Sequence, residues 1–148
     1  MAGDLLLKYA NVAAITITLA SLADNGVAVS SEIDNSSNLY LDALVQLKIK
    51  TTSTVDSTGY IAVYAVGSVD GGTSYPDSVN RKSKPIAIIN ANVNNTTFTS
   101  NPVSVAQAFF AGLPEKWKIV IENKTGASLD STEGNHAKQY QGIKHQFT

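Results

Sequence analysis

Apolar side chains occupy every odd position of residues 39–49, namely Leu39, Leu41, Ala43, Val45, Leu47 and Ile49, while the even positions of residues 40–50 carry Tyr40, Asp42, Leu44, Gln46, Lys48 and Lys50. Successive side chains of a strand point to opposite sides of the sheet, so a period of two buries one set and solvates the other. Residues 38–50 therefore predict one long antiparallel-type strand. The rest of the chain has to supply a cover for its apolar face.

The same pattern recurs along the chain. Residues 12–19, VAAITITL, alternate Ile15, Ile17 and Leu19 against Thr16 and Thr18, and threonine suits the wet face of a strand. Asp24-Asn25-Gly26 ends that run with residues that tolerate positive φ. Residues 1–11 place Leu5, Leu6, Leu7 and Tyr9 ahead of any clear alternation. They read either as a first edge strand or as an arm that packs on a neighbouring subunit. Residues 60–68, YIAVYAVGS, are apolar or aromatic on both faces, as expected for a strand inside a sandwich or one covered by another subunit.

Further on, Asp70-Gly71-Gly72 and Tyr75-Pro76-Asp77 mark turns in a loop over residues 68–80. The cations Arg81, Lys82 and Lys84 read as a solvated lead into an apolar strand at residues 85–89. Residues 96–99 form a short threonine strand around Phe98, and residues 102–110 read as a strand or one to two turns of helix anchored by Phe109 and Phe110. KWKIVIEN, residues 116–123, alternates Trp117, Ile119 and Ile121 against Lys116, Lys118, Val120 and Glu122. A final strand runs from about His136 to Phe147, with Tyr140, Ile143 and Phe147 as its heaviest apolar groups. Short strands divided by Gly, Asn, Asp and Ser turns, with no helical periodicity, predict an all-β fold. The architecture expected is a two-sheet antiparallel β-sandwich, with a jelly roll preferred to an immunoglobulin fold on strand count.

Composition narrows the possibilities. At 148 residues and 43% hydrophobic the chain is one domain's worth of material, read as a single sandwich domain over residues 12–148 behind the possible arm of residues 1–11. The absence of cysteine excludes a disulfide framework, a thiolate nucleophile and a cysteine-based zinc site. A net charge of −1 without a basic stripe argues against nucleic acid as a partner. Asp4, Lys8 and the diluting Thr16, Thr18 and Ser21 break up the N-terminal apolar run, so neither a secretory signal nor a membrane span is expected. This implies a soluble protein made in the cytoplasm, with no membrane partner.

No catalytic signature stands out. His136 and His145 lie an odd number of residues apart and would face opposite sides of a strand, which disfavours a shared metal or acid–base role. Glu32, Asp34 and Asp42 are close in sequence, and Asp56, Asp70 and Asp77 sit in turn-like stretches, but a paired-carboxylate cleft is not visible. The expectation is a non-enzyme with no cofactor and no metal. Asn35, Asn94, Asn95 and Asn123 each begin an Asn-x-Ser/Thr triplet, which matters only in a secretory pathway. Tyr60, Tyr64, Tyr75 and Trp117 are candidates for a sugar-stacking platform, although a tryptophan alternating with isoleucines belongs more naturally to a core.

Residues 113–127, LPEKWKIVIENKTGA, followed by Asn135-His136-Ala137 and Tyr140-Gln141-Gly142, resemble the C-terminal part of small virion proteins of tailed bacteriophages. The loop GSVDGGTSY at residues 67–75 and the strand NLYLD at residues 38–42 fit the same pattern, and the resemblance extends from about Leu6 to Gln146. It implies a jelly-roll β-sandwich of the capsid decoration, or cement, type. Such a protein is made in the host cytoplasm, sits on the capsid exterior of the virion, and has the major capsid protein as partner and a homodimer or homotrimer as its unit. Candidate intersubunit contacts, chosen by position and apolarity, are Leu5, Leu6, Leu7 and Tyr9 in the arm, Asp70 and Tyr75 in the loop, and Phe147 at the C-terminus. A tail, fibre-associated or carbohydrate-binding module would use the same fold.

Overall fold

The computed structural model describes residues 4–76, 84–110 and 112–147. Among these residues ten strands succeed one another: β1 (Leu5–Ala14), β2 (Val27–Val29), β3 (Ile33–Asp34), β4 (Asp42–Lys50), β5 (Tyr60–Ser68), β6 (Ala87–Asn90), β7 (Thr97–Thr99), β8 (Val103–Ser104), β9 (Lys116–Lys124) and β10 (Ala137–Phe147). Two short 3₁₀ turns, Ala106–Ala108 and Glu133–Asn135, complete the described elements.

The strands form two antiparallel sheets. One has the order β1-β10-β4-β7, with β8 also paired to β4, and the other the order β2-β9-β5-β6, with β3 also paired to β9. If β7 with β8 and β2 with β3 are each counted as one interrupted strand, every sheet has four positions. The chain then passes from sheet to sheet as it winds, β1, β4, β7/β8 and β10 in the first and β2/β3, β5/β6 and β9 in the second. That winding is a jelly roll.

The core lies between the sheets. Ala43, Val45, Leu47 and Ile49 of β4 face Ile61, Val63 and Ala65 of β5 and Trp117, Ile119 and Ile121 of β9, all of them buried. Ala62, Val66 and Val120, on the opposite face of the second sheet, are also buried within the single chain, which explains why residues 60–68 read as apolar on both sides.

Three sequence expectations are corrected. The long strand begins at Asp42, because Leu39 takes a positive φ of 53° in a turn. The buried Asn35 side chain holds that turn, accepting from Tyr40 N–H at 2.8 Å and donating to Tyr40 O at 2.9 Å. Leu39 and Leu41 are consequently exposed rather than core. Residues 12–19 are divided: Val12 to Ala14 close β1, and Ile15, Ile17 and Leu19 stay buried on an extended connection outside any ladder. Glu133 secures this connection by accepting the N–H groups of Leu19 and Ala20. Residues 102–110 contain both a strand and a 3₁₀ turn, and Phe110, at φ 60°, is fully exposed instead of acting as an anchor. Of residues 1–11, read as an arm or an edge strand, Leu5 onward lies in β1 at the sheet edge, and β1 continues through Asn11 to Ala14 along β10. The cations Arg81 and Lys82, and Asp77, lie outside the described residues.

Candidate functional site

Two of the strands outgrow the sandwich. In the β10–β4 ladder the last pair is Ile143 with Asp42, whereas β10 continues to Phe147 and remains paired with β1, Leu5 opposite Phe147 and Lys8 opposite Lys144. Residues 5–8 and 144–147 thus form a two-stranded ribbon that projects past the start of β4, with β1 at the sheet edge.

Parity assigns the ribbon's faces. Tyr140 and Gly142 of β10 sit opposite the buried Val45 and Ala43, so even positions of β10 face the sandwich interior. Leu5, Leu7 and Tyr9 therefore share the outer face with Phe147, His145 and Ile143, and Leu6 and Lys8 share the inner face with Gln146 and Lys144. Leu6 and Phe147 are 49% and 75% exposed, with Leu5, Leu7 and Tyr9 between them. Among the described residues, apolar surface is open on both faces and no strand pairs the outer edge of β1. A two-stranded ribbon is marginal in water by itself, and a long apolar edge invites pairing with another chain. A bulge between Tyr9 and Val12 interrupts the register at the ribbon's base, where Gln141 Nε2 donates to Ala10 O at 2.9 Å.

The structure gathers Leu5, Leu6, Leu7, Tyr9 and Phe147 into this ribbon. Asp70 and Tyr75 belong to a second cluster on the other sheet. Ser68 Oγ donates to Asp70 Oδ1, and Asp70 Oδ1 also accepts Ser74 N–H at 3.0 Å. These bonds, the serine hydroxyl first, bring the Asp70 carboxyl down to about 2. Tyr75 Oη donates to Glu32 Oε2 at 2.6 Å, and Lys118 Nζ lies 3.9 Å from the centre of its ring. Burial and the bond to Glu32 push the Tyr75 hydroxyl well above its usual range. Lys116 Nζ sits 2.6 Å from Asp34 Oδ2 and 3.6 Å from Glu32 Oε1. The bond to Lys116 holds Asp34 far below the normal carboxylate range, and Asp34 raises Lys116 in turn. The loop is pinned to its own sheet by charge and hydrogen bonds.

Other side chains of potential chemical interest have structural duties. His136 is buried, with Nδ1 accepting Lys50 N–H at 3.3 Å and Nε2 donating to Asp130 O at 3.0 Å, so both ring nitrogens are engaged with the main chain. His145 lies on the outer face of the ribbon. Asp42 Oδ1 accepts the N–H groups of Ala43 and Ala106. Trp117 is fully buried and therefore leaves the sugar-stacking platform. Asn123 was unmarked in the sequence except as a triplet and turn residue, yet it is a buried hub. Its Nδ2 donates to the carbonyls of Leu22, Ala23 and Ala127, and its Oδ1 accepts from the N–H and hydroxyl of Thr125. Its bonds to Thr125 and Ala127 are local to its own turn, but those to Leu22 and Ala23 cross to a distant turn that no spacing rule could have found. Among the described residues no cluster of three or more His, Asp or Glu could hold a metal, and no helix is long and apolar enough to cross a membrane.

No protein-family model matches the chain, and no curated protein matches it. Among solved structures it is similar to Xylanase10C from Cellvibrio japonicus in complex with xylopentaose, at 15% identity and a TM-score of 0.43, over 97% of this chain. The chain spans 27% of that xylanase. It is also similar to Desmodium yellow mottle tymovirus, at 16% identity and a TM-score of 0.36, over 99% of this chain and 88% of the other. A structure of carbohydrate-binding modules from the β-sandwich superfamily matches at 10% identity and a TM-score of 0.32, over 97% and 57% of the two chains. These likenesses are weak and concern β-sandwich architecture alone.

Proposed function

We propose that this chain is a bacteriophage capsid decoration protein, which binds the outer shell, bridges neighbouring subunits of the major capsid protein and stabilises the head. The observation that carries the proposal is the projecting ribbon. Its Leu5, Leu6, Leu7, Tyr9 and Phe147 are held out beyond the sandwich with a free strand edge, an arrangement that becomes stable when another protein covers it. Burying the remaining half of one leucine side chain stabilises by roughly 1 kcal/mol. Repeated over the many equivalent positions of a symmetric shell, such modest contacts add through multivalency. The pinned loop with Asp70 and Tyr75 supplies a second, rigid surface suited to polar contacts with the shell. The role is structural, without a reaction to catalyse.

The test is to separate heads from tails in particles that carry this protein and to count its copies in each fraction by quantitative mass spectrometry. Copies in the heads at a level comparable with the major shell protein support the decoration role. A few copies confined to tails would sink it in favour of a tail, fibre-associated or carbohydrate-binding module.

A further inference from the structure

We infer that the open edge of β1 pairs with β1 of a second copy, antiparallel across a two-fold axis, with Leu6 facing Leu6 of the second copy. The inference rests on reading the ribbon as an assembly contact, and it names the partner of its free edge.

Main-chain direction limits the choice. Ile143 O accepts Leu41 N–H at 2.8 Å, so the main-chain groups of Ile143 face β4, while Lys138 O accepts Ile15 N–H at 2.9 Å and faces the β1 side. Direction alternates along an antiparallel strand. Tyr9, opposite Ile143, therefore exchanges no main-chain bonds with it. Leu5, Leu7 and Tyr9 send their N–H and C=O groups to the open edge, and Leu6 and Lys8 send theirs to β10. The bulge beyond Tyr9 ends this regular edge.

Charge then selects the register. With the axis at Leu6, Leu5 and Leu7 exchange main-chain bonds with Leu7 and Leu5 of the second copy, and Asp4 lies opposite its Lys8. With the axis at Leu7, Lys8 faces Leu6, and with the axis at Lys8 two lysines meet. Lys8 already stands opposite Lys144 in its own ladder, and like charges directly opposite are unfavourable. A carboxylate from the second copy beside Lys8 offsets that repulsion. Joining two ribbons also gives four adjacent strands, past the number at which a sheet with an apolar face is stable, and places Leu5, Leu7, Tyr9 and Phe147 of both copies on one continuous outer face.

The chain has no cysteine, so single replacements report cleanly. In the inferred register Leu6 and its symmetry mate form a pair without main-chain bonds, with Cα atoms about 4.5 Å apart, within disulfide reach. Mild oxidation of Leu6→Cys should yield a covalent dimer on a non-reducing gel, and Leu5→Cys and Leu7→Cys should not. Leu7→Pro should keep the native circular dichroism and sediment as a monomer, because the lost N–H faces only the open edge. Asp4→Lys and Lys8→Asp should each weaken the dimer about tenfold, and the double exchange should restore it. A wild-type monomer at micromolar concentration, or cross-linking through Leu7→Cys in place of Leu6→Cys, would overturn the pairing. Monomers bound to heads would remove the pairing and leave the decoration role intact. A dimer absent from heads would do the reverse.

Discussion

Trp117 on β9 and Tyr140 on β10 meet edge to face, ring centroids 5.4 Å apart and planes at 84°, so one aromatic pair ties the two sheets together. Trp117 is fully buried, and burial, with Tyr40 nearby, raises the Tyr140 hydroxyl above its ordinary value. Trp117→Ala should lower stability by about 3–5 kcal/mol in urea unfolding. A double-mutant cycle of Trp117→Phe with Tyr140→Leu should return a coupling of about 0.5–1.5 kcal/mol; additive losses would show that the rings only fill space.

Asn123 satisfies three carbonyls and anchors Thr125 from a fully buried position. Asn123→Ala removes one of two donors from each of the carbonyls of Leu22, Ala23 and Ala127 and leaves the buried Thr125 N–H without its acceptor, the last alone at a cost of about 1–3 kcal/mol. The variant should lose at least about 2 kcal/mol by urea titration and show faster amide exchange at Leu129 and Asn25. These N–H groups bond to Leu22 O and Asn123 O in the turns that Asn123 joins.

Acid should unfold the protein through Asp130 and Asp70. Asn135 and Thr132 N–H, with Lys50, bring Asp130 down to about 2, and Ser68 with Ser74 does the same for Asp70. A carboxyl depressed in the folded state contributes stability that is complete above its unfolded pKa of about 4 and is lost as pH falls through its folded value. The melting temperature should therefore be flat from neutral pH down to about 4 and drop between about 4 and 2. Asp130→Asn should melt lower at pH 7 and show a shallower acid decline; an unchanged slope would place the acid sensitivity elsewhere.

Gly142 sits at the base of the ribbon, opposite Ala43, where a Cβ would overlap the Tyr40 ring. Gly142→Ala should displace that ring and cost about 1–3 kcal/mol as an overpacking change. Pairing the replacement with Tyr40→Ala should recover part of the loss in thermal melts, and no recovery would mean that the strand itself resists the change.

The legible part of the fold was the part with one-sided burial. Residues 43–49 and 116–123 alternate because each strand presents one face to the same core, residues 60–68 are apolar on both faces because both are covered, and the two-sheet jelly roll followed from the number and spacing of such strands. The misread stretches share a cause. Leu39 and Leu41 continue the alternation, but Asn35, several residues away, bends the chain and exposes them. Ile15, Ile17 and Leu19 alternate without a ladder, since burial of one face marks an extended segment whether or not a neighbour strand pairs with it.

The ribbon shows the same division. That Leu5, Leu6, Leu7 and Tyr9 are apolar, and that Phe147 closes the chain's last strand, is written in the sequence. Their assembly into one projecting surface is not. It depends on β10 outlasting β4 by residues 144–147 and on β1 pairing along its full length. Asp70 and Tyr75, grouped with them by position, are instead drawn onto the second sheet by Ser68, Glu32 and Lys118. Local alternation alone determined which side chains share a face of an extended segment, because side-chain direction is a property of the backbone. Tertiary pairing decided which strand ends lack a neighbour, because relative strand length and register arise only when distant segments meet.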